Sequence, residues 1–266
     1  MRSNMLQGKL SQLRIEVRSF FKRVFYVLLD RLEIRRFREH SFFGSLLPNQ
    51  AIIADFGAHR GEFFAALRSN YSISRALLVE ANPALAESLR KTFAETPVLH
   101  AALIEGNRTA VTFTRSIEPE SSSIFREWAA AYGVADEVEV PTVEFASVIR
   151  ELDGRVDLVK FDIEGAEVAV LKKARASDLN SCGQFTVEFH DKRPPLTRRD
   201  VDDVCQRMCS EGYLIVKPNW PNVDDVLFVN LKSMRMIKRI EFRCRVALAN
   251  ALFVIRRRFF GSGYSQ

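Results

Sequence analysis

Residues 51–61 read Ala-Ile-Ile-Ala-Asp-Phe-Gly-Ala-His-Arg-Gly, an apolar run that leads into a turn bracketed by two glycines. An unbroken apolar run is typical of a strand that is covered on both faces of a parallel sheet. Glycine in the turn lets the backbone approach a ligand, and a following helix would offer unpaired N–H groups. The stretch therefore predicts a strand, a turn for a nucleotide-like ligand and a helix, although an ordinary strand-turn-helix fits the same residues.

Apolar strands and amphipathic helices continue to alternate as far as residue 231. We predict strands at 51–56, 76–80, 98–103, 156–161, 184–189, 213–217 and 226–231, helices at 61–69, 83–94, 125–132, 143–151, 166–174 and 198–211, and an antiparallel excursion through 110–114 and 137–141. This alternation predicts an α/β fold, with a mostly parallel sheet and helices on both faces. Ligands of such sheets bind beyond the carboxyl ends of the strands.

Two acidic residues stand at the ends of the first two predicted strands. Asp55 ends the first strand, and Glu80 ends the second, where a carboxylate can accept hydrogen bonds from both hydroxyls of a ribose. The glycine spacing after Asp55 is Asp-x-Gly-x-x-x-Gly, which differs from the Gly-x-Gly-x-x-Gly of dinucleotide sites. A nicotinamide-dependent oxidoreductase is therefore the weaker interpretation.

Further ionisable residues follow the fourth and fifth strands. The segment Asp162-Ile-Glu-Gly-Ala-Glu167 clusters three carboxylates, and Glu167 falls in the first turn of a helix, where the helix dipole favours an acid. Glu188 and His190 end the next strand and point to the same side of it. An Asp/Glu/His trio at the ends of these two strands could deprotonate a hydroxyl or hold a divalent cation. Asp162 and His190 are the alternative bases. The four cysteines lack zinc-site spacing, so we assign no metal site from the sequence.

The chain resembles the FkbM family of S-adenosylmethionine-dependent methyltransferases between about residues 51 and 230. The motifs that carry the resemblance are Asp55-Phe-Gly-Ala-His-Arg-Gly61, Val79-Glu-Ala-Asn-Pro83, the 98–103 strand with its hairpin, Glu120-Ser-Ser-Ser123, Val138-Glu-Val-Pro-Thr142, Lys160-Phe-Asp-Ile-Glu-Gly-Ala-Glu167 and Val187-Glu-Phe-His190. The resemblance implies the class I methyltransferase fold, which is Rossmann-like and has a seven-stranded sheet with an antiparallel final strand. It also implies O-methylation of hydroxyls on sugars, polyketides or other small molecules.

The resemblance also implies roles for individual residues. It implies a cofactor loop of Asp55, Gly57, Ala58 and Gly61, with Glu80 at the ribose hydroxyls, Asn82 beside the adenine, and Asp162 at the methyl-transfer zone. Asp162, His190 and Glu188 are the predicted catalytic residues. One departure from the family pattern is Val143-Glu-Phe-Ala146, where a Leu-Asp-Asp-like helix start is usual, and it could alter a helix cap or a substrate wall.

The positive charge of the chain is concentrated at its two ends. The net charge is +6, yet residues 1–43 hold ten Lys and Arg against four acids, and residues 232–266 hold nine against one. Residues 44–231 are left with an excess of acids. We therefore predict a methyltransferase domain at 44–231 between basic amphipathic helical extensions at 1–43 and 232–266. An acidic domain argues against a nucleic-acid partner.

The two extensions have several interpretations. Apolar residues of the first recur at alternating spacings of four and three, which predicts one long helix over 6–39. It could pack on the domain, pair with a partner helix in an oligomer, or lie on anionic lipid. The start of the chain shows no secretory signal, and no apolar run is long enough to cross a bilayer. These features predict a cytoplasmic protein with peripheral contact at the inner face of a membrane.

Two functions remain after these observations. The first is an S-adenosylmethionine-dependent O-methyltransferase that acts on a hydroxyl of a glycan or another small molecule, near a membrane surface. The second is a catalytically silent binding or scaffold protein that retains the methyltransferase fold. Titration with S-adenosylmethionine would discriminate between them.

Overall fold

The stretch that opens at Ala51 forms an inner strand of the main sheet. The computed structural model describes residues 23, 24, 27, 28, 30–38, 40–191, 194–217, 225–232, 234 and 236–260. Its strands in chain order are β1 (Ile34–Phe37), β2 (His40–Phe43), β3 (Ala51–Phe56), β4 (Ile73–Glu80), β5 (Val98–His100), β6 (Ala102–Leu103), β7 (Ala110–Ser116), β8 (Val134–Val143), β9 (Val156–Phe161), β10 (Cys182–Glu188), β11 (Tyr213–Val216) and β12 (Asp225–Asn230). The helices discussed below are α1 (Glu62–Asn70), α2 (Pro83–Thr92), α3 (Arg126–Ala130), α4 (Phe145–Glu151), α5 (Glu167–Lys173), α6 (Ala176–Asn180), α7 (Arg198–Ser210) and α8 (Met236–Phe260).

Seven strands form the main sheet, in the order β11-β12-β10-β9-β3-β4-β5. β3 pairs in parallel with β4 and β9, and β9 pairs in parallel with β10. β12 runs antiparallel to both β10 and β11. The predicted α/β fold and its antiparallel final strand are therefore confirmed. Strand order reverses beside β3, which is where open α/β sheets bind ligands.

Helices cover both faces of the sheet, as the continuous apolar strands require. On one face α4, α5 and α7 bury a core that includes Phe56, Phe161 and Phe185. On the other face α1, α2, the β1–β2 hairpin and α8 bury a second core around Ile53 and Leu78. The site lies between these layers, at the carboxyl ends of the strands.

The structure corrects the predicted helix over 6–39. Described residues between 23 and 31 are helical, but β1 and β2 form an antiparallel hairpin in which Ile34 pairs with Phe43. Gln184 of β10 holds this hairpin, because its side chain accepts from Phe43 N at 2.8 Å and donates to Phe43 O at 3.1 Å. Burial of Phe42 against the sheet outweighs the helical spacing of the apolar residues. Residues 6–22 of the predicted helix lie outside the described residues.

Two smaller differences concern the region after β4. The strand predicted at 98–103 is divided, because β5 joins the main sheet while β6 joins β8 and β7 in a separate three-stranded sheet. The departure at 143–146 leaves α4 without a cap from its own N-cap residue, Glu144. Glu105 replaces that cap, since its Oε1 accepts from Phe145 N at 3.2 Å.

The C-terminal extension contains one long helix, α8. Its residues Phe242, Val246, Ala249 and Phe253 are buried in the second core. Part of the predicted extension thus packs against the domain. Among the described residues, no helix combines the length and the apolar character needed to cross a membrane.

Candidate active site

A cavity of about 290 Å³ opens at the carboxyl ends of β3, β4, β9 and β10. Its walls include residues 57–60 after β3, 79–82 at the end of β4, and 162–164 after β9. His40 of β2 and Glu188 of β10 also line it. The sheet therefore brings together the strand ends that the sequence singled out.

Gly57 joins the turn after β3 to the segment after β9. It has a φ of +74°, and a Cβ on it would lie 1.7 Å from the carbonyl oxygen of Asp162. The sequence suggested that this glycine admits a ligand. In the structure the missing side chain admits the backbone of the second loop, and a residue with a Cβ would separate the two loops.

Gly61 and Ala58, the other small residues of the predicted cofactor loop, are placed differently. Ala58 lines the cavity and is buried. Gly61 does not line the cavity, and a Cβ on it would lie 2.3 Å from the ring of Phe93. Gly61 therefore allows α1 to pack close to the end of α2, which is a structural role.

Glu80 lies at the bottom of the cavity with both carboxylate oxygens engaged. Its Oε2 accepts from His59 N and its Oε1 from Asn82 N, each at 2.8 Å. Burial raises the pKa of Glu80, and the two backbone hydrogen bonds oppose that rise. Each oxygen keeps lone-pair capacity for a second donor, as a pair of ribose hydroxyls would require.

Asn82 lines the cavity, but its side chain acts as a helix cap. Its Oδ1 accepts from Ala84 N at 3.0 Å and from Leu85 N at 3.4 Å, at the start of α2. The predicted position beside the adenine is thus next to an apolar wall that includes Leu85 and Leu103. Through its cap, Asn82 fixes the helix that carries part of this wall.

Lys160, near the end of β9, is a buried cation between two predicted site acids. Its Nζ lies 2.6 Å from Gly57 O, 3.2 Å from Asp55 Oδ1 and 3.5 Å from Asp162 Oδ2. Burial lowers the pKa of Lys160, but the charges of Asp55 and Asp162 outweigh burial. The pKa of Lys160 is therefore above its usual value, and the side chain stays charged. Asp55 is fully buried and does not line the cavity, so it reaches the site through Lys160.

Asp162 is the residue around which the charges of the site are arranged. Burial raises the pKa of its carboxyl, but Lys160, His40 and His190 lower it well below its usual value. His40 Nε2 lies 3.5 Å from Oδ2, and His190 Nε2 lies 3.9 Å from Oδ1. Asp162 is therefore an anion at neutral pH and a weak proton acceptor.

His190 connects the cavity to a fully buried carboxylate. Its Nδ1 lies 2.9 Å from Glu167 Oε1, and its Nε2 lies 3.3 Å from Glu164 Oε2. Burial lowers the pKa of His190, but Glu167, Glu164 and Asp162 raise it well above its usual value. Burial also raises the pKa of Glu164 to about 7, although Trp128 Nε1 donates to it at 2.7 Å.

Glu167 has a larger role than that of a dipole residue. It is fully buried, and it accepts from Ile163 N at 2.9 Å and from Gly165 N at 3.0 Å. It therefore closes the loop that carries Asp162 and Glu164, and at the same time it holds His190.

Two residues of the site were missed in the sequence. Lys160 carried a signal, since it is a lone basic side chain near the end of a largely apolar strand. His40 carried none, because it follows a segment whose spacing predicts a helix. In the structure His40, Asp162 and Glu188 lie together, and so do Asp162, Glu164 and His190.

Comparison with known families identifies the family of the chain. The model of the Methyltransferase FkbM domain matches residues 55–215, which is more than half of the chain. The chain belongs to the FkbM methyltransferase family. It is accordingly an S-adenosylmethionine-dependent methyltransferase, as the resemblance in its motifs predicted.

Solved structures of other methyltransferases are similar to this FkbM methyltransferase at low identity. An rRNA methylase from Streptococcus thermophilus has a TM-score of 0.41 at 9% identity, over 70% of this chain and 90% of that one. A putative tRNA (m1A22) methyltransferase from Streptococcus pneumoniae has a TM-score of 0.42 at 11% identity, over 80% and 79%. A TehB-like SAM-dependent methyltransferase from Corynebacterium glutamicum has a TM-score of 0.35 at 14% identity, over 70% and 83%. No curated protein matches the chain.

The cavity of the FkbM methyltransferase fits S-adenosylmethionine in four respects. Glu80 suits the ribose hydroxyls, and the wall with Leu85 and Leu103 suits the adenine. His59 lines the cavity, and its buried Nε2 has no hydrogen-bond partner among the described residues, so a polar ligand atom could complete it. Anionic Asp162 suits the positive charge of a sulfonium.

Proposed function

We propose that this FkbM methyltransferase is an O-methyltransferase whose acceptor is a hydroxyl of a sugar or another small molecule. The observation that supports this most directly is the chain Glu167–His190–Glu164, with contacts of 2.9 and 3.3 Å, which reaches the cavity through Glu164. A hydroxyl must lose its proton as it attacks, and such a chain of groups can receive and stabilise that proton.

Each residue of the site would have its own role in methyl transfer. S-adenosylmethionine supplies a methyl group on a positively charged sulfur, which already activates it for transfer. Glu80 would hold the ribose end, and Asp162, which Lys160 keeps in place, would lie beside the sulfonium. Glu164 Oε2 lines the cavity beside His190 Nε2, and we assign it as the atom that receives the acceptor proton. Catalysis then depends mainly on position and exclusion of water.

The charge of the domain supports a small acceptor over a nucleic acid. Residues 44–231 carry 20 Lys and Arg against 28 Asp and Glu in the sequence. Binding of RNA depends on neutralising phosphates with Lys and Arg, and this excess of acids opposes it. Hydroxylated glycans and small molecules carry no such requirement.

The test combines calorimetry and turnover on the full chain. S-adenosylmethionine should bind. Hydroxylated glycans and RNA are then screened as separate acceptors, and S-adenosylhomocysteine should be released with a glycan. No heat of binding at about 1 mM, which corresponds to only about −4.1 kcal/mol, would favour the catalytically silent alternative. Turnover only with RNA would contradict the proposed acceptor.

The role of His190 can be tested separately from cofactor binding. His190→Gln should lower kcat by about 100-fold or more and change the pH profile, while the affinity for S-adenosylmethionine changes little. His100→Gln is the matched control, because His100 lies in β5 and its Nε2 contacts Ala81 O at 3.1 Å, outside the His190 chain. Equal activity of both variants would remove His190 from the mechanism.

A further inference from the structure

We propose that His40, Asp162 and Glu188 bind one divalent cation in the cavity, where it would contact the acceptor hydroxyl. The inference rests on the proposed O-methyl transfer and adds a cofactor to it. One potential ligand atom from each residue lies within 4.8 Å of the others. All three residues also line the cavity, so the cation would be open to a substrate.

The spacing of these atoms suits a single ion. A cation about 2.0–2.3 Å from each ligand places neighbouring ligand atoms about 2.8–3.3 Å apart at a right angle and about 3.3–3.8 Å apart at a tetrahedral angle. His40 Nε2 and Asp162 Oδ2 are 3.5 Å apart, which is longer than a usual N–H···O hydrogen bond. The separation fits two neighbouring ligands of one ion.

The ring of His40 is held in the orientation that a ligand histidine requires. Its Nδ1 lies 3.3 Å from Thr186 Oγ1, and its ring meets the ring of Phe63 edge to face at a centroid distance of 5.3 Å. The side chain is 3% exposed. Metal-binding histidines are commonly fixed in this way, with one nitrogen bonded behind and the other directed at the ion.

The neighbouring histidine is less suited to the same role. Both ring nitrogens of His190 already face carboxylate oxygens, at 2.9 Å from Glu167 and 3.3 Å from Glu164. A ligand nitrogen needs a free lone pair, whereas a histidine between two carboxylates donates from both nitrogens. The geometry therefore favours the set with His40.

The charge of this region favours a cation that accepts both nitrogen and oxygen. Asp162 and Glu188 are acids, and the nearby cation Lys160 is shared among Asp162, Asp55 and Gly57 O. One imidazole with two carboxylates suits Mn²⁺ better than Mg²⁺, which prefers oxygen ligands and retains its water. Such an ion would hold the acceptor oxygen and lower the pKa of its hydroxyl, and the released proton would pass to Glu164.

The test measures Mn²⁺ binding by electron paramagnetic resonance on the full chain, with and without S-adenosylmethionine. The wild type should bind one Mn²⁺, and His40→Gln and Glu188→Gln should each weaken that binding by about tenfold or more. His100→Gln is the matched control and should bind Mn²⁺ as the wild type does. The Glu188 variant keeps the test decisive if His40→Gln does not fold.

Calorimetry with S-adenosylmethionine on the same samples separates the two proposals. Cofactor binding without Mn²⁺ binding would overturn the cation site and leave the methyltransferase assignment intact. Mn²⁺ binding that survives His40→Gln and disappears in His190→Gln would also overturn it, since the ion would then lie among the other ligands. If the wild type bound neither Mn²⁺ nor S-adenosylmethionine, the proposed function itself would be contradicted.

Discussion

Gly57 is the residue at which the two loops of the site touch. Gly57→Ala should lower the free energy of unfolding by about 3 kcal/mol or more, because its Cβ would overlap the backbone of Asp162. Gly154→Ala is a matched control, since Gly154 has a φ of +75° against +74° for Gly57 and no atom of the described residues lies within 4 Å of its added Cβ. It should lose only about 1 kcal/mol. Urea unfolding measures both, and equal losses would show that the backbone angle alone matters.

Asp162 should be essential for turnover and dispensable for cofactor binding. Asp162→Asn keeps the shape of the side chain and removes its charge, so turnover should fall by about 100-fold or more. The affinity for S-adenosylmethionine should stay within about tenfold, or about 1.4 kcal/mol. Asp153→Asn, at a site with a 74% exposed side chain before β9, is the control. Full activity of the Asp162 variant would remove this residue from the mechanism.

At the residue scale the sequence predicted the acids of the site better than the basic groups. Glu80, Asp162 and Glu188 were predictable because parallel strands end at one edge of the sheet, so acids at those ends must meet there. Lys160 needed the register of β9 with β3, which places it beside Asp55. Pairing between distant strands of this kind has no local signal in the sequence.

At the scale of elements, the capping box of α7 gives a pH-dependent prediction. Thr197 and Asp200 cap this helix reciprocally, and Lys172 contacts Asp200 at 2.9 Å. Hydrogen bonds from Thr197 and then from Lys172 lower the pKa of Asp200 to about 2. Because this pKa is depressed in the folded state, its stabilising effect is complete above the unfolded pKa of about 3.9 and is lost as the pH falls through about 2.

Asp200→Asn should therefore destabilise the protein at pH 6 by about 1 kcal/mol, the usual value of a cap. The difference from the wild type should shrink at pH 3, because this pH lies between the two pKa values and the carboxyl of Asp200 is already largely protonated in the unfolded chain. Asp202→Asn is the control on the same helix, with a 57% exposed side chain in an ion pair to Arg198. Urea unfolding at the two pH values measures the effect. A difference that grows towards pH 3 would contradict the assigned cause.

The elements also show why one part of the fold could not be predicted. The strand β3 is buried on both faces, so its apolar run at 51–54 identifies it without knowledge of its partners. The β1–β2 hairpin is different, because it follows a segment whose spacing of apolar residues predicts a helix. Gln184 and the second core select the hairpin, and both lie far away in the sequence.

At the scale of the whole molecule, α8 presents a surface that suits an anionic membrane. Ile237, Ile240 and Leu248 are 80%, 62% and 53% exposed, on the side opposite its buried residues. The helix sequence contains seven Lys and Arg and one Glu. We propose that this face lies on anionic lipid, since each basic residue near such a surface contributes about 1 kcal/mol.

Liposome co-sedimentation tests this surface. The full chain should sediment with vesicles that contain anionic lipid and remain in solution with neutral ones. Ile240→Glu should weaken the binding by about fivefold or more, since it removes an apolar contact with the lipid and adds a charge that anionic lipid repels. Ile117→Glu, at a 70% exposed position outside α8, should have no effect. Binding that ignores lipid charge, or a dimer that covers α8 in solution, would contradict the proposal.

The β1–β2 hairpin lies ahead of the segment that matches the FkbM family, yet its His40 reaches Asp162. His40 therefore adds to the cavity a residue from outside the segment that defines the family. Two proteins that share the whole family segment can still differ at this wall, so membership of the family alone does not fix the acceptor.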